Sequence, residues 1–307
     1  MSLDIEPTSR RLSLVTGLDY HLLEWNAESD ATHTVFLVHG FLDLAWGWAR
    51  TVEAWMRSHP AAARELHLVA PDMRGHGDSD RIGKGGYYHF LDYLGDMRDL
   101  VEKLGRERIS LVGHSMGGSI CAYYAGSFPP IHRLALLEGW SPLETPLDMP
   151  KRVRTWLTSW QRARTRPSKG CASVAEAAER LQRHDPLLSP ERALELAQHS
   201  TRPREDGRLS FKHDPLHLTV GPYPFRLDMA ASFWGAIACP VLFVEGDQST
   251  FRHRAEETQR RRAMFGGTVQ DACIEGAGHM MQRHQPQAIA DLLDRFIRSD
   301  DGGSATG

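Results

Sequence analysis

The chain lacks the features that mark several large classes of protein. Its 307 residues carry 36 basic and 39 acidic side chains, so no positive excess favours a nucleic acid or an anionic membrane as a partner. No apolar run approaches the roughly 20 residues that a membrane-spanning helix needs. The first 11 residues are polar and lack the layout of a secretory signal peptide, so we expect a cytoplasmic protein without a membrane span.

Cysteine is scarce, and cofactor motifs are missing. The four cysteines form no C-x-x-C pair, which predicts reduced thiols; they are Cys121, Cys171, Cys239 and Cys273. The chain has neither a P-loop nor a dinucleotide fingerprint, and no H-E-x-x-H spacing of metal ligands. We therefore expect no metal and no cofactor. No signal in the sequence sets the oligomeric state.

What the chain does have is a series of short apolar runs separated by helical stretches. They are residues 34–38, 67–70, 109–112, 134–137, 241–244 and 269–274. Runs without strict alternation suit strands buried on both faces. Before them, alternating segments at 12–15 and 20–24 flank a glycine-containing turn and predict an antiparallel hairpin. The order predicts an α/β fold with a mostly parallel sheet flanked by helices.

Residues 141–234 interrupt this rhythm with helical patterns. Val153, Trp156 and Trp160 share one helix face, and Ser173 and Ser189 are placed to cap two further helices. Residues 211–225 are rich in proline and histidine and predict irregular structure. We predict a core of residues 1–140 and 235–300, an inserted helical cap of 141–234 over the carboxyl edge of the sheet, and a disordered tail of 301–307.

One serine stands where a predicted strand turns sharply into a helix. Gly113-His114-Ser115-Met116-Gly117 directly follows the run 109–112. Small glycines on both sides allow a turn that exposes the hydroxyl at the top of a sheet, as in the nucleophile elbow of α/β-hydrolases. A serine hydroxyl is a weak nucleophile at neutral pH, so it needs a base, an acid that orients the base, and donors for the oxyanion.

Candidates for those partners follow other predicted strands. His279 lies in a glycine-rich loop after the last strand and is our predicted base; His284, in a polar run, is the nearest rival. The backbone N–H groups of Met116 and Phe41 are our predicted oxyanion donors. His39 is expected to orient the loop that carries Phe41 through a hydrogen bond.

Two carboxylates compete for the role of the acid. Glu138 follows the run 134–137, and Asp247 follows the run 241–244, with Glu245 as a poorer third choice. Both loops are expected at the carboxyl edge of the sheet, beside the histidine loop. The residues alone leave the choice open.

These motifs together resemble the α/β-hydrolase fold superfamily over residues 12–297. The markers are His39-Gly40, Asp72-Met-Arg-Gly-His-Gly-Asp-Ser79, Gly113-His-Ser-Met-Gly-Gly118 and Gly278-His279. Segments 173–178, 188–191 and 212–216 resemble the serine hydrolase-like group within it. The usual acid position of the fold holds Ser249 here, whereas some members place the acid one strand earlier, where this chain has Glu138. The resemblance therefore favours Glu138, with Asp247 as the alternative.

The resemblance implies a serine hydrolase that cleaves a carboxylic ester or related acyl bond of a small molecule through an acyl-enzyme. Serine at the elbow argues against epoxide hydrolase or dehalogenase chemistry, where relatives carry aspartate. The alternatives are a C–C bond hydrolase of the meta-cleavage-product type and a non-catalytic receptor on the same fold. Trp46, Trp140 and Trp156 are candidates to line an apolar substrate pocket. The acid-free basic stretch 151–169 is expected to be a solvated helix face.

Overall fold

A single eight-stranded sheet organises the molecule. The structure, a computed structural model, describes residues 5–144, 148–165 and 169–299. Its strands are β1 (Thr8–Ser13), β2 (Asp19–Trp25), β3 (His33–Val38), β4 (Leu66–Pro71), β5 (Arg108–His114), β6 (Arg133–Leu137), β7 (Thr201–Pro203), β8 (Leu209–Phe211), β9 (Val241–Gly246) and β10 (Val269–Ile274). The main sheet has the order β1-β2-β4-β3-β5-β6-β9-β10, and β7 pairs separately with β8.

The apolar runs of the sequence all lie in strands of this sheet. β1 and β2 form the predicted antiparallel hairpin, and β2 also pairs antiparallel with β4. The remaining pairs of the main sheet, from β4 across to β10, are all parallel. β3, β4 and β6 are buried at every position, as expected for strands covered by helices on both faces. The predicted α/β fold class is confirmed.

Helices cover both faces of the sheet. They are α1 (Ala49–Ser58), α2 (Ala62–Glu65), α3 (Asp92–Leu104), α4 (Met116–Ser127), α5 (Met149–Thr165), α6 (Val174–His184), α7 (Pro190–Ser200), α8 (Leu227–Gly235), α9 (Ala255–Arg262), α10 (Met281–His284) and α11 (Pro286–Ile297). Residues of α3, α4 and α8 pack on one face, and residues of α1 and α11 pack on the other. Within the described residues, no helix has the length and apolarity to cross a membrane.

Residues 148–226, as far as they are described, form an insertion between β6 and α8. Ser173 caps α6 by accepting a hydrogen bond from the Glu176 N–H at 3.2 Å, and Ser189 caps α7 in the same way. α6 and α7 share a small apolar core of their own. The stretch predicted as irregular contains the end of β8 and a short 3-10 turn, Pro215–Leu218. The predicted boundary at 234 falls near the end of α8, which packs on the core helix α4. The predicted tail, 301–307, lies outside the described residues.

The insertion is attached to loops at the carboxyl edge of the main sheet. The Asp214 N–H donates to the carbonyl of Gly75, in the loop after β4, at 2.7 Å. The His217 ring stacks between Tyr88 and His76, with centroid distances of 3.9 and 4.1 Å. This edge is also where the serine, histidine and acid loops leave the sheet, so the insertion borders the site described next.

Candidate active site

Ser115 occupies the turn between β5 and α4. Its φ of 51° lies in a region that residues other than glycine rarely adopt. Glycines on both sides allow the turn, since a Cβ on Gly113 would collide with the carbonyl oxygen of Gly117. They also bring α4 close to the loop after β6, where a Cβ on Gly118 would lie 2.6 Å from the Cα of Gly139. The Ser115 N–H donates to the carbonyl of Leu137 at 2.9 Å, which fixes the turn against β6.

His279 and Glu138 form a hydrogen-bonded pair. Nδ1 of His279 lies 2.5 Å from Oε2 of Glu138, so the imidazole donates to the carboxylate and its Nε2 remains for another partner. Glu138 directly follows β6 with a φ of 45°, and its side chain is only 3% exposed. In the sheet register, His114 of β5 pairs with Leu137 of β6, so Ser115 and Glu138 leave neighbouring strands side by side.

The Glu138 carboxylate is held by three donors. Besides His279, the Ser249 hydroxyl donates to Oε2 at 2.7 Å and the Gly246 N–H donates to Oε1 at 3.1 Å. Burial by itself would raise the pKa of Glu138, but the bonds from His279, Ser249 and Gly246 outweigh it and hold the pKa below its ordinary value. The carboxylate is therefore ionised beside the imidazole at neutral pH.

The other candidate acids have different partners. Asp247 is exposed and accepts a hydrogen bond from the Ala277 N–H at 3.1 Å. Glu245 is half-buried and pairs with Arg252 at 3.3 Å. The geometry thus brings Glu138 to His279, while Asp247 contacts the backbone of the loop that carries His279.

His114 links the serine turn to the histidine loop. Its Nε2 donates to the backbone carbonyl of His279 at 2.8 Å, and the two rings lie 4.7 Å apart. Burial lowers the pKa of His114 well below its ordinary value, so this ring is neutral. Because His114 directly precedes Ser115, Ser115 and His279 lie at the same edge of the sheet.

The rival histidine, His284, has another partner set. Its Nδ1 accepts from the Gly278 N–H at 3.1 Å, and its Nε2 donates to Asp185 of the insertion at 2.7 Å. Both ring nitrogens are thus engaged. His284 connects the insertion to the residue before His279.

The loop after β3 passes beside Ser115. A Cβ on Gly40 would lie 3.3 Å from the Cβ of Ser115. Nε2 of His39 accepts from the Met73 N–H at 2.9 Å, so its Nδ1 donates to the carbonyl of Gly40 at 2.7 Å. Since the Gly40 carbonyl and the Phe41 N–H belong to one planar peptide and point in opposite directions, His39 fixes the direction of that N–H. Met116 supplies one of the first N–H groups of α4, which have no acceptor within the helix.

A cavity of about 500 Å³ lies between the insertion and the core. Phe41 and Met280, the neighbour of His279, line one side of it, and apolar side chains of the insertion such as Leu181 and Phe211 line the other. Three cations also line it, and each pairs with an acid: Arg180 with Glu176, Lys212 with Asp78, and Arg283 with Asp43. The cavity is therefore mainly apolar, with compensated charges.

The three predicted substrate-pocket tryptophans each pack against another aromatic ring. Trp140 is buried with its ring stacked on Phe243, Trp46 stacks on His199, and Trp156 packs parallel to Trp160 on α5. None of the three is among the described residues that line the cavity, and neither are Ser115 and His279, so the lining leaves their contact with a substrate a prediction. Residues missed by sequence reasoning, Ser249 and Phe251, contact Glu138 and His279 directly.

The basic stretch predicted as a solvated helix face lies mainly in α5. No residue of α5 is buried, and its Arg152 and Arg164 donate to backbone carbonyls; Arg166 of the same basic stretch lies outside the described residues.

Among the described residues, one group could supply metal ligands, His21, Asp72 and Asp78. There Asp72 already accepts hydrogen bonds from His21, at 2.7 Å, and from the Asp78 N–H, at 2.8 Å. These bonds account for the cluster without an ion.

Comparison with known proteins relates this geometry to one family. The family model described as alpha/beta hydrolase fold matches residues 33–282. A serine hydrolase-like protein of Danio rerio is 29% identical over 262 residues, which span 82% of this chain and 79% of that protein. Epoxide hydrolase A of Mycobacterium tuberculosis is 24% identical over 95% of this chain and 97% of that protein.

Solved structures give the same relation. The thioesterase domain from the curacin biosynthetic pathway superposes with a TM-score of 0.78 at 26% identity, covering 94% of this chain and 98% of that domain. The hypothetical protein PA1622 of Pseudomonas aeruginosa superposes with a TM-score of 0.79 at 26% identity, covering 96% of this chain and all of that chain.

Proposed function

Because the chain belongs to the α/β-hydrolase fold family, we propose that it is a serine hydrolase that cleaves a carboxylic ester or a related acyl bond. The observation that carries this proposal is the His279–Glu138 hydrogen bond at the edge where Ser115 occupies a strand–turn–helix junction. A nucleophile, a base and a buried orienting acid are the three parts that acyl transfer by serine requires.

In the proposed mechanism, the Ser115 hydroxyl attacks the substrate carbonyl while Nε2 of His279 takes its proton. Glu138 holds the Nδ1–H of the imidazole and stabilises the positive charge that forms. The N–H groups of Phe41 and Met116 bind the oxyanion of the tetrahedral intermediate. His279 then gives the proton to the leaving alcohol, and a water activated by His279 hydrolyses the acyl-enzyme.

The cavity between insertion and core supports an uncharged, mainly apolar substrate part. Its volume of about 500 Å³ is in the range of small-molecule sites. Its cations are neutralised by paired acids, so nothing there favours a substrate with a free anionic group. We propose that the insertion acts as a cap that encloses this part of the substrate. Serine at the turn, rather than aspartate, favours acyl transfer over epoxide opening.

A fluorophosphonate probe and a graded series of p-nitrophenyl esters test the proposal. We expect the probe to label the wild-type protein on Ser115. Ser115→Ala should lose labelling and about 10³- to 10⁶-fold in kcat, as for other serine hydrolases. Ser127→Ala, at the far end of α4, is the matched control and should behave as wild type.

Two results would replace this proposal with a defined alternative. A folded protein that the probe does not label would indicate a non-catalytic receptor on the same fold. Turnover of a vinylogous diketone in preference to every ester would indicate a C–C bond hydrolase that uses the same residues.

A further inference from the structure

Phe251 is an exposed aromatic residue that stacks on His279. The two ring centroids lie 4.0 Å apart with an angle of 23° between the planes. The phenylalanine is nevertheless 64% exposed, so it gains little from burial in a core. A large apolar side chain left in water and placed face to face with the predicted base calls for a role other than packing.

The loop after β9 fixes this stack from the side of the acid. The Ser249 hydroxyl donates to Glu138 at 2.7 Å and accepts from the Phe251 N–H at 3.2 Å. One hydroxyl therefore ties the backbone of Phe251 to the carboxylate that holds His279. The ring and the carboxylate contact the same imidazole, one at its face and one at Nδ1.

In the proposed mechanism, the face of the Phe251 ring contacts an imidazole that becomes positively charged. His279 becomes a cation each time it takes the proton of Ser115 or of the attacking water. A cation within about 6 Å of an aromatic face is attracted by the negative face of the ring, and a neutral imidazole is attracted less. The contact is thus stronger when the charge has formed than before the reaction, which is the condition for accelerating a step.

Other groups around His279 set the background for this effect. Glu138 at the end of β6 favours the cation, and His114 at the end of β5 is neutral. His284 of α10 acts through the Gly278 N–H. The charge of Glu138 also acts to raise the pKa of His253, and Arg283 acts to lower the pKa of His114. Phe251 is uncharged. Its effect is therefore separable from theirs by a change that leaves all of these side chains in place.

We propose that Phe251 is a positioning residue that stabilises the protonated form of His279 through the face of its ring. This inference rests on the proposed serine hydrolase function for its kinetic consequence. The preference for the protonated ring is a property of the folded protein and can be measured without turnover.

The test replaces the ring and follows the pH profile of kcat/KM. Phe251→Leu should move the acidic limb to lower pH by about half a unit, because the unprotonated base then persists to lower pH. It should also lower the plateau about threefold, because the cation is no longer stabilised. Phe251→Tyr keeps an aromatic face and should retain both the pH of the acidic limb and the plateau of kcat/KM. Phe128→Leu, at another partly exposed phenylalanine far from His279, is the control.

A second measurement separates the effect of the shape of the residue 251 ring from the effect of the negative charge on its face. Trifluorophenylalanine at position 251 keeps the shape of the ring and removes most of the negative charge of its face. The ¹⁵N signals of His279, assigned with His279→Asn, should then titrate at lower pH than in wild type, as in Phe251→Leu. Equal midpoints in wild type and both variants would overturn the proposal. A shifted midpoint in a protein that neither hydrolyses esters nor binds the probe would refute the proposed function alone.

Discussion

The loops that follow β6 and β9 make an instructive comparison. Both leave neighbouring strands at the carboxyl edge of the sheet, and in both the first residue after the strand is a carboxylate, Glu138 after β6 and Asp247 after β9. Glu138 is buried and bonded to the imidazole of His279. Asp247 is exposed and bonded to the backbone of Ala277. The position of a carboxylate along the chain does not decide its role.

The different contacts of Glu138 and Asp247 follow from the direction of the backbone and from the hydrogen-bond donors that each carboxylate meets. Glu138 leaves its strand at a φ of 45°, and its carboxylate meets donors from His279, Ser249 and Gly246. Two of those three donors come from β9 and its loop, so that loop supplies donors to the carboxylate that contacts His279. The loop after β6 provides the charge, and the loop after β9 holds it in place.

The largest expected effect comes from removing the charge of each loop in turn. Glu138→Gln keeps the size of the side chain but no longer stabilises the imidazolium, so kcat/KM for an ester should fall about 10⁴-fold. Asp247→Asn should change kcat/KM less than about tenfold, because the hydrogen bond described for the Asp247 carboxylate comes from the backbone of the histidine loop. Steady-state kinetics on both variants measures the contrast. The reverse order of losses would assign the acid to the loop after β9.

A smaller effect is expected from the hydroxyl that joins the two loops. Ser249→Ala removes one of the bonds that lower the pKa of Glu138, so this pKa should rise. We expect kcat to fall about 10- to 150-fold, since one hydrogen bond to a charged group is worth about 1.5–3 kcal/mol. Ser249→Thr keeps the hydroxyl and should remain close to wild type. A ¹³C titration of the Glu138 carboxyl signal follows the pKa directly. An unchanged titration in Ser249→Ala would show that the hydroxyl does not support the acid.

The smallest effect is structural and concerns the loop after β9 alone. Asp247→Ala removes the acceptor for the Ala277 N–H, and the free energy of unfolding should fall by about 1 kcal/mol. Urea denaturation measures this loss, with Glu256→Ala on the exposed first turn of α9 as a comparison site. A loss of ester hydrolysis at temperatures where the variant is fully folded would contradict a purely structural role.

The fold could be predicted because strands buried on both faces appear in the sequence as unbroken apolar runs. The strands β3 and β6 lie where unbroken apolar runs predicted them, and Ser173 caps α6 as its capping pattern indicated. The short pair β7 and β8 was not predicted, since three-residue strands are too short for a periodic signal.

The site was less predictable, because its contacts depend on which way side chains point. The resemblance to the family, more than the residues, favoured Glu138 over Asp247. Trp140 lies two residues after Glu138, yet its ring packs into the core on Phe243. No pattern in the sequence indicates this direction of the side chain. Ser249 was noted only as the residue at the usual acid position of the fold, and its contact with Glu138 was not predicted. Phe251 gave no signal, because its partner His279 is distant in the chain.

The contact between Gly118 and Gly139 has a consequence for how this scaffold can be altered. The backbones of α4 and of the loop after β6 touch there with no side chain between them. Even a methyl group at either position would wedge the two segments apart and alter the spacing of the reacting groups. If the insertion is the cap that we propose, redesign of substrate scope belongs there, because α6 and α7 carry their own small core and can be repacked while these two backbones keep their contact.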